Sequence, residues 1–275
     1  MNDDPLRIDA RVTQQVLVGF LKNEITKAGF QRAVLSVTGD LDTTLACYLA
    51  VNAIGPESVD AIHMPASNSR AMPPAGIELL EQELGIVCQV VDVKPLVDLV
   101  LSDSADSSTA RLGDVIARVR MTVLYDRATV TSALVIGASN KSDLLLGLGT
   151  VHGDLASAVN PLGDLYRTQA RRLVAELGLP EKLLRISGDS DQLGAHLGSA
   201  VSQNTYGQVD PLLYLLFDER YSAEEAAGAG FDDELISEAL SRFRGSHAQR
   251  ALPLIPKLSG RTVGHDLRYL RDSHT

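Results

Sequence analysis

The chain has no tryptophan, 2 cysteines, 4 methionines and only 4% aromatic residues over 275 positions. So few aromatics exclude a base-stacking platform for single-stranded nucleic acid. Cys47 and Cys88 are isolated in apolar surroundings. They make neither a disulfide framework nor a zinc cluster and read as buried, reduced thiols. Basic residues are outnumbered, 25 Lys and Arg against 35 Asp and Glu, for a formal net charge of −10. That balance disfavours binding to a nucleic-acid backbone. No apolar run reaches the length of a membrane span. The opening Met1-Asn2-Asp3-Asp4-Pro5 is acidic and lacks a signal-peptide pattern. The expectation is a cytoplasmic protein with neither nucleic acid nor membrane among its partners.

What is present is an ordinary globular composition, 45% hydrophobic and 22% charged. The length suits one large α/β domain or two small ones. Helical periodicity covers 9–28, with Val12, Val16, Phe20 and Leu21 on one side and Gly29 as the stop. Short β-branched runs at 33–37, 58–64, 86–93 and 133–137 read as strands. Helical patterns at 75–84, 95–101 and 113–128 separate them. Strands alternating with helices at this spacing imply a doubly wound parallel sheet, Rossmann-like, with helices on both faces. Right-handed crossovers then bring the ends of the first and fourth strands to one edge, where such sheets bind ligands. Beyond 147 the alternation stops. Residues 147–161 read as a Gly-rich loop and 164–177 as a helix with Asp164 as a candidate N-cap. A Ser/Asp-rich stretch at 102–109 and a Gly/Ser/Asn-rich one at 188–208 read as loops. Helices are expected at 211–217, 223–229 and 232–244, then an extended tail from 253. The whole reads as one domain over 1–275, with its core in 30–180 and a helical C-terminal region and tail in 181–275.

Two loops at that sheet edge carry the chemistry. The first, Thr38-Gly39-Asp40-Leu41-Asp42-Thr43, joins the first strand to a helix bearing Leu45 and Leu49. Strand, small-residue loop and helix form a phosphate cradle: backbone N–H groups and the helix dipole converge on one spot. Thr38 and Thr43 add hydroxyls. Asp42 has the wrong charge for a phosphate and the right one for Mg²⁺ carried by a nucleotide. The same residue types also serve merely to turn a βα loop and cap its helix. The second loop, Ala138-Ser139-Asn140-Lys141-Ser142-Asp143, follows the fourth strand.

At these residues the chain resembles the ammonia-dependent NAD synthetases, members of the ATP-pyrophosphatase group of adenylating enzymes. The family's Ser-Gly-Gly-x-Asp-Ser stands here as Thr38 to Thr43. Its Gly-Thr-x-Asn-Lys-x-Glu stands as Gly137 to Asp143. Its Asn-Pro-Ile-Gly-Asp-Leu-Tyr-Lys-Thr-Gln stands as Asn160 to Gln169, preceded by Gly153-Asp154. The family's His-Lys-Arg and Pro-Lys-rich tail stand as His247-Ala248-Gln249-Arg250 and Pro256-Lys257-Leu258. The resemblance implies ATP-driven adenylation of the deamido-NAD carboxylate, release of pyrophosphate, and displacement of AMP by ammonia. It implies that the first loop holds the ATP phosphates and that Asp42 and Asp143 are the catalytic, Mg²⁺-binding carboxylates. Arg167 stands at an ATP-binding Lys and Ala138 at an ATP-binding hydroxyl. Arg118 and His247 match residues that contact deamido-NAD. Val151, Ala158 and Ala248 stand where the family places a Lys, an Asp and a Lys for that substrate. No glutaminase set accompanies them, so nitrogen is expected as free ammonia. A homodimer is also implied.

The departures cluster. Asp40 replaces the second Gly of the phosphate loop, where a side chain crowds the backbone and its charge repels a polyphosphate. Asp143 is a methylene shorter than the family's Glu. No carboxylate occurs from Gln192 to Val209, where the family has Gln-x-Asp-Glu. Two other readings therefore stand beside the synthetase: a catalytically impaired or inactive paralogue with a binding or regulatory role, and an ATP-pyrophosphatase acting on another substrate. The matched residues also have plain structural readings, Arg167 as an exposed helix residue and His247 as a surface or capping His.

Overall fold

A computed structural model describes residues 4–66, 72–102, 108–180, 205–250 and 255–262. Much of the expected 102–109 and 188–208 loops and most of the C-terminal tail lie outside these residues.

β1 (Arg32–Ser36), β2 (Val59–His63), β3 (Cys88–Val90) and β4 (Ala133–Val135) form one parallel sheet in the order β3-β2-β1-β4. The register pairs Ala33 with Val59 on one side and with Leu134 on the other. The chain winds outward from β1 through β2 to β3, then crosses back to lay β4 on the far side of β1. The reversal point therefore lies between the carboxyl ends of β1 and β4, the edge anticipated from the crossover rule.

Both faces of the sheet are covered, so its strands are rich in buried apolar residues. Ala33, Leu35 and Val37 point to a core shared with α1 (Ala10–Lys27), α2 (Leu41–Ile54) and α7 (Arg167–Glu176). Val34 points the other way, to a core that includes Val97 of α4 (Lys94–Leu101) and Met121 and Leu124 of α5 (Thr109–Thr131). The helix α3 (Pro74–Leu84) joins β2 to β3. Both cysteines are buried, and burial pushes their thiols up, to about 12 at Cys47 and about 11 at Cys88. A third cluster ties Leu146 of α6 (Lys141–Leu146) and Tyr166 to α8 (Tyr206–Leu213), α9 (Ala223–Gly228) and α10 (Asp233–Gly245).

Four expectations change. In α1 the buried stripe is Ala10, Leu21 and Ile25, while Val12, Val16 and Phe20 are exposed. The helix is turned so that Gln14 reaches Tyr48 of α2 at 3.1 Å, which puts Val12, Val16 and Phe20 away from the sheet. β3 is only Cys88–Val90, because it sits at the sheet edge with a neighbour on one side. The helix expected from 164 begins at Arg167, capped by Tyr166, whose N–H donates to Gln169 Oε1 at 2.9 Å; Asp164 is not its cap. The helix expected from Pro211 begins a turn earlier at Tyr206, because Thr205 and Gln208 close a capping box with Thr205 N–H on Gln208 Oε1 at 2.9 Å. Pro211 lies inside it, and a π-helical turn, Tyr214–Asp218, follows.

Candidate active site

The sheet edge supplies two helix starts side by side. β1 runs into α2 through a loop with Gly39 at φ +82°, a left-handed turn that favours glycine. Asp40 caps α2, accepting Thr43 N–H at 2.7 Å. β4 runs into α6 through Ala138 and Ser139, and Asn140 caps α6, its Oδ1 accepting Asp143 N–H at 2.9 Å. Within the first turn of each helix stands an acidic residue, Asp42 in α2 and Asp143 in α6.

Asn140 joins the two. It is fully buried, and its Nδ2 donates to Asp42 Oδ2 and to Asp143 Oδ2, each at 2.9 Å. Arg167, at the start of α7, is buried and ion-paired with Asp42 Oδ2. Tyr206 of α8 donates its hydroxyl to Asp143 Oδ1 at 2.7 Å, and its ring lies 5.7 Å from the Arg167 guanidinium. Asp210, one turn further along α8, accepts from Ser142 Oγ at 2.6 Å and from Thr168 N–H at 2.8 Å. Ser142 Oγ in turn accepts Arg167 N–H at 2.9 Å. Residues from α2, α6, α7 and α8 thus hold one another in a single buried network, and such networks are rigid when satisfied.

Burial dominates the electrostatics. It pushes Asp42 up to about 7, with Arg167 pulling the other way and Asp40 and Asp143 adding to the rise. Burial also raises Asp143, opposed first by the Tyr206 hydrogen bond. Asp42 Oδ1 is buried and has no hydrogen-bond partner among the described residues. A buried acceptor without a donor is what a hard cation would satisfy. No cluster of three or more His, Cys, Asp or Glu side chains suited to a metal occurs among the described residues. The donor set is two carboxylates, which suits a cation that brings the rest of its oxygen shell with a phosphate.

Beside this network lies a cavity of about 400 Å³. Thr38, Asp40, Asp42, Thr43, Ala138 and Asp143 line it, so both loops open on one space. The remaining candidates do not line it. Gly39 shapes the loop, and Leu41 sends its side chain into the core. Arg167 meets the carboxylates through its ion pair with Asp42. Arg118 is exposed, with Nε donating to Val151 O at 3.1 Å, so these two candidates meet each other on the surface beyond α5. Ala158 is exposed, its N–H on Val135 O at 3.0 Å. His247 and Ala248 are exposed in a short turn, His247–Arg250, after α10. That turn is held near the end of α6: Arg250 donates to Leu144 O at 3.0 Å, and a Cβ at Gly147 would strike Ser246. The plain readings divide accordingly: His247 is a surface residue, whereas Arg167 is buried.

Several participants went unassigned from sequence. Asn140 was in plain view within the second motif. Arg120 lines the cavity, half-buried, with Nε on Met64 O at 2.9 Å. It stands two residues from Arg118, and the turn of α5 decides which arginine faces inward. Tyr206 fell in a stretch read as loop. The Thr205-to-Gln208 capping box was the signal that would have revealed it.

Comparison with known proteins agrees along the whole chain. The NAD synthase family model matches residues 13–253. The NH(3)-dependent NAD(+) synthetase of Trichlorobacter lovleyi is 42% identical over 267 residues, covering 97% of this chain and 98% of that one. The protein of the same name from Chlorobaculum tepidum is 39% identical over 272 residues, covering 99% and 98%. Among solved structures, the NH3-dependent NAD synthetase of Campylobacter jejuni superposes with a TM-score of 0.75 at 28% identity, covering 91% of this chain and all of that one. An NMN synthetase structure from Francisella tularensis has the same TM-score at 23% identity and shares the fold. With two acidic helix starts meeting at one cavity and this similarity from end to end, the chain belongs to the NAD synthase family.

Proposed function

We infer that the chain is an ammonia-dependent NAD synthetase, an ATP-dependent, amide-forming ligase. The observation that carries the reading is the meeting of Asp42 and Asp143 on Asn140 at the mouth of β1 and β4. Had those carboxyl groups faced apart, no site for a nucleotide and its cation would remain.

A carboxylate is a poor electrophile, so its oxygen must first be converted to a leaving group. A deamido-NAD carboxylate oxygen attacks the α-phosphorus of ATP, the α–β bond breaks, and pyrophosphate departs. Ammonia then adds to the acyl carbon, AMP leaves with its oxygen, and a proton passes to solvent. The part played by this chain is orientation and charge. The loop from Thr38 to Thr43 offers N–H and hydroxyl donors at a helix start for the phosphates. Arg120 and Arg167 supply positive charge around the cavity. Asn140 keeps Asp42 and Asp143 together against their mutual repulsion, and Tyr206 steadies Asp143. Asp42 and Asp143 would hold Mg²⁺, which offsets charge growing on the departing pyrophosphate when bound. Arg118, Val151, Ala158, His247 and Ala248 lie outside the cavity, where the dinucleotide would extend. Neither Val151, Ala158 nor Ala248 offers a charged or polar side chain, so the hold on that end falls to Arg118 and His247.

The same reading takes the chain as one domain, acting in the cytoplasm as a homodimer. Exposed Val12, Val16 and Phe20 on α1 and Val130 on α5 give apolar surface for a partner copy. Among the described residues no helix is long and apolar enough to cross a membrane.

The test is to incubate the protein with ATP, Mg²⁺, deamido-NAD and ammonia and to follow NAD, AMP and pyrophosphate together. Equal yields of the three support the reading. AMP and pyrophosphate without NAD on another acceptor identify a different ligase, and no products from a folded protein identify an inactive paralogue.

A further inference from the structure

The phosphate loop contains an anion of its own. Asp40 does not project across the cavity mouth, as a simple crowding argument expects. It folds back onto the loop. Oδ1 accepts Thr43 N–H at 2.7 Å and Thr43 Oγ at 2.8 Å, and Oδ2 accepts Thr38 Oγ at 2.6 Å. The Thr38 N–H is turned to Thr43 Oγ at 3.2 Å. Three donors that a phosphate would use, Thr43 N–H and the Thr38 and Thr43 hydroxyls, are therefore already held by a carboxylate, and hydrogen bonds to a charged acceptor are the strong kind. A second feature marks this spot as a place for a ligand. Asp42, on the wall of the same cavity and only 8% exposed, keeps Oδ1 buried without a hydrogen-bond partner among the described residues.

Resting on the ATP reading above, we propose that Asp40 is an internal competitor for the terminal phosphates and sets the affinity and specificity of this loop. Pyrophosphate, free or within ATP, reaches Thr38 and Thr43 only by displacing the Asp40 carboxylate, and then sits beside its charge. A nucleoside monophosphate lacks the groups that would compete and is unaffected. The chain therefore holds polyphosphate weakly and releases pyrophosphate readily, whereas a loop with Gly at this position meets no such rival.

The test compares the full chain with Asp40→Asn and Asp40→Gly. Asn caps a helix as well as Asp and removes the charge; Gly removes the side chain at a small capping cost. Calorimetric titrations use inorganic pyrophosphate with Mg²⁺, ATP with Mg²⁺, and AMP. Asp40→Asn should bind pyrophosphate and ATP about tenfold more tightly, which corresponds to roughly 1.4 kcal/mol. Asp40→Gly should move in the same direction, and AMP affinity should stay within about twofold in both. Unchanged or weaker pyrophosphate binding in both variants overturns the proposal. So does equal tightening of AMP, and so does no pyrophosphate binding by any form. If the variants tighten yet no form makes NAD, the loop inference stands and the synthetase reading fails. If NAD forms while pyrophosphate affinities match, the reverse holds.

Discussion

Asp40 and Asn140 occupy equivalent places in the fold. Each follows one of two neighbouring parallel strands, each caps the helix that begins there, and each accepts the N–H three residues on. One atom pair separates them. The carboxylate has only acceptors, so once Asp40 has capped α2 its second oxygen takes Thr38 as well, and the loop closes on itself. The amide has an acceptor and a donor, so Asn140 caps α6 with Oδ1 and still offers Nδ2 to Asp42 and Asp143. A cap can thus consume a site or help to build one, and the chemistry of one terminal atom decides which.

The most severe way to break this contrast is to make the two caps alike. Asn140→Asp keeps the cap but puts a third carboxylate against two others with both donated hydrogen bonds gone. NAD formation should fall by more than about a hundredfold, and stability in urea by about 3 kcal/mol, the range for leaving buried charge unpaired. Retained activity would mean that Asn140 does not organise the carboxylates.

Next in size is Asp42→Asn, which removes a proposed cation ligand and should cost activity about a hundredfold. It also sharpens the electrostatic account. Burial raises folded-state Asp42 to about 7 from an ordinary 3.8. The folded chain therefore binds this proton more tightly than the unfolded chain does. The resulting stabilisation is fully present below pH 3.8 and is lost as pH rises through about 7. Melting temperature followed across that window should decline less steeply in Asp42→Asn than in the unaltered chain. An unchanged slope would place the titration elsewhere.

Tyr206→Phe deletes the hydroxyl on Asp143 and leaves the ring in place. About 1 kcal/mol of stability should go, with a several-fold rise in the Mg²⁺ concentration needed for half-maximal activity. Loss of stability with no change in Mg²⁺ dependence would reduce Tyr206 to a packing residue. The smallest effect belongs to Asp164→Ala. Asp164 is 97% exposed and meets Lys141 at 3.2 Å. Its removal should change stability by less than about 0.5 kcal/mol. A loss near 1 kcal/mol, the usual cost of deleting a helix cap, would restore Asp164 as the start of α7.

Much of this arrangement could be read in one dimension. Apolar runs of strand length between helical patterns gave the parallel sheet, and the crossover rule brought both loops to one edge. Burial on both faces made those runs mostly apolar, so hydrophobic patterning was a strong signal there. It was a weak signal at α1, where Val12, Val16 and Phe20 make as good a stripe as Ala10, Leu21 and Ile25. Only docking on α2 and α7 selects between them. It failed also where a polar pair outranked a breaker: Pro211 looked like a start, yet the Thr205–Gln208 box begins the helix earlier and delivers Tyr206 to Asp143.

Residue types and their order alone settled the family, the two small-residue loops and the pair of acidic positions, because local backbone chemistry and hydrophobic period are properties of neighbouring residues. Which of those groups touch was decided in three dimensions. Asn140 meets Asp42 across 98 positions and Arg167 meets Asp42 across 125, contacts that exist only because β4 returns to lie against β1. The direction of the Asp40 carboxylate, inward to Thr38 and Thr43, depends likewise on side-chain rotamers and hydrogen-bond geometry that no linear pattern encodes.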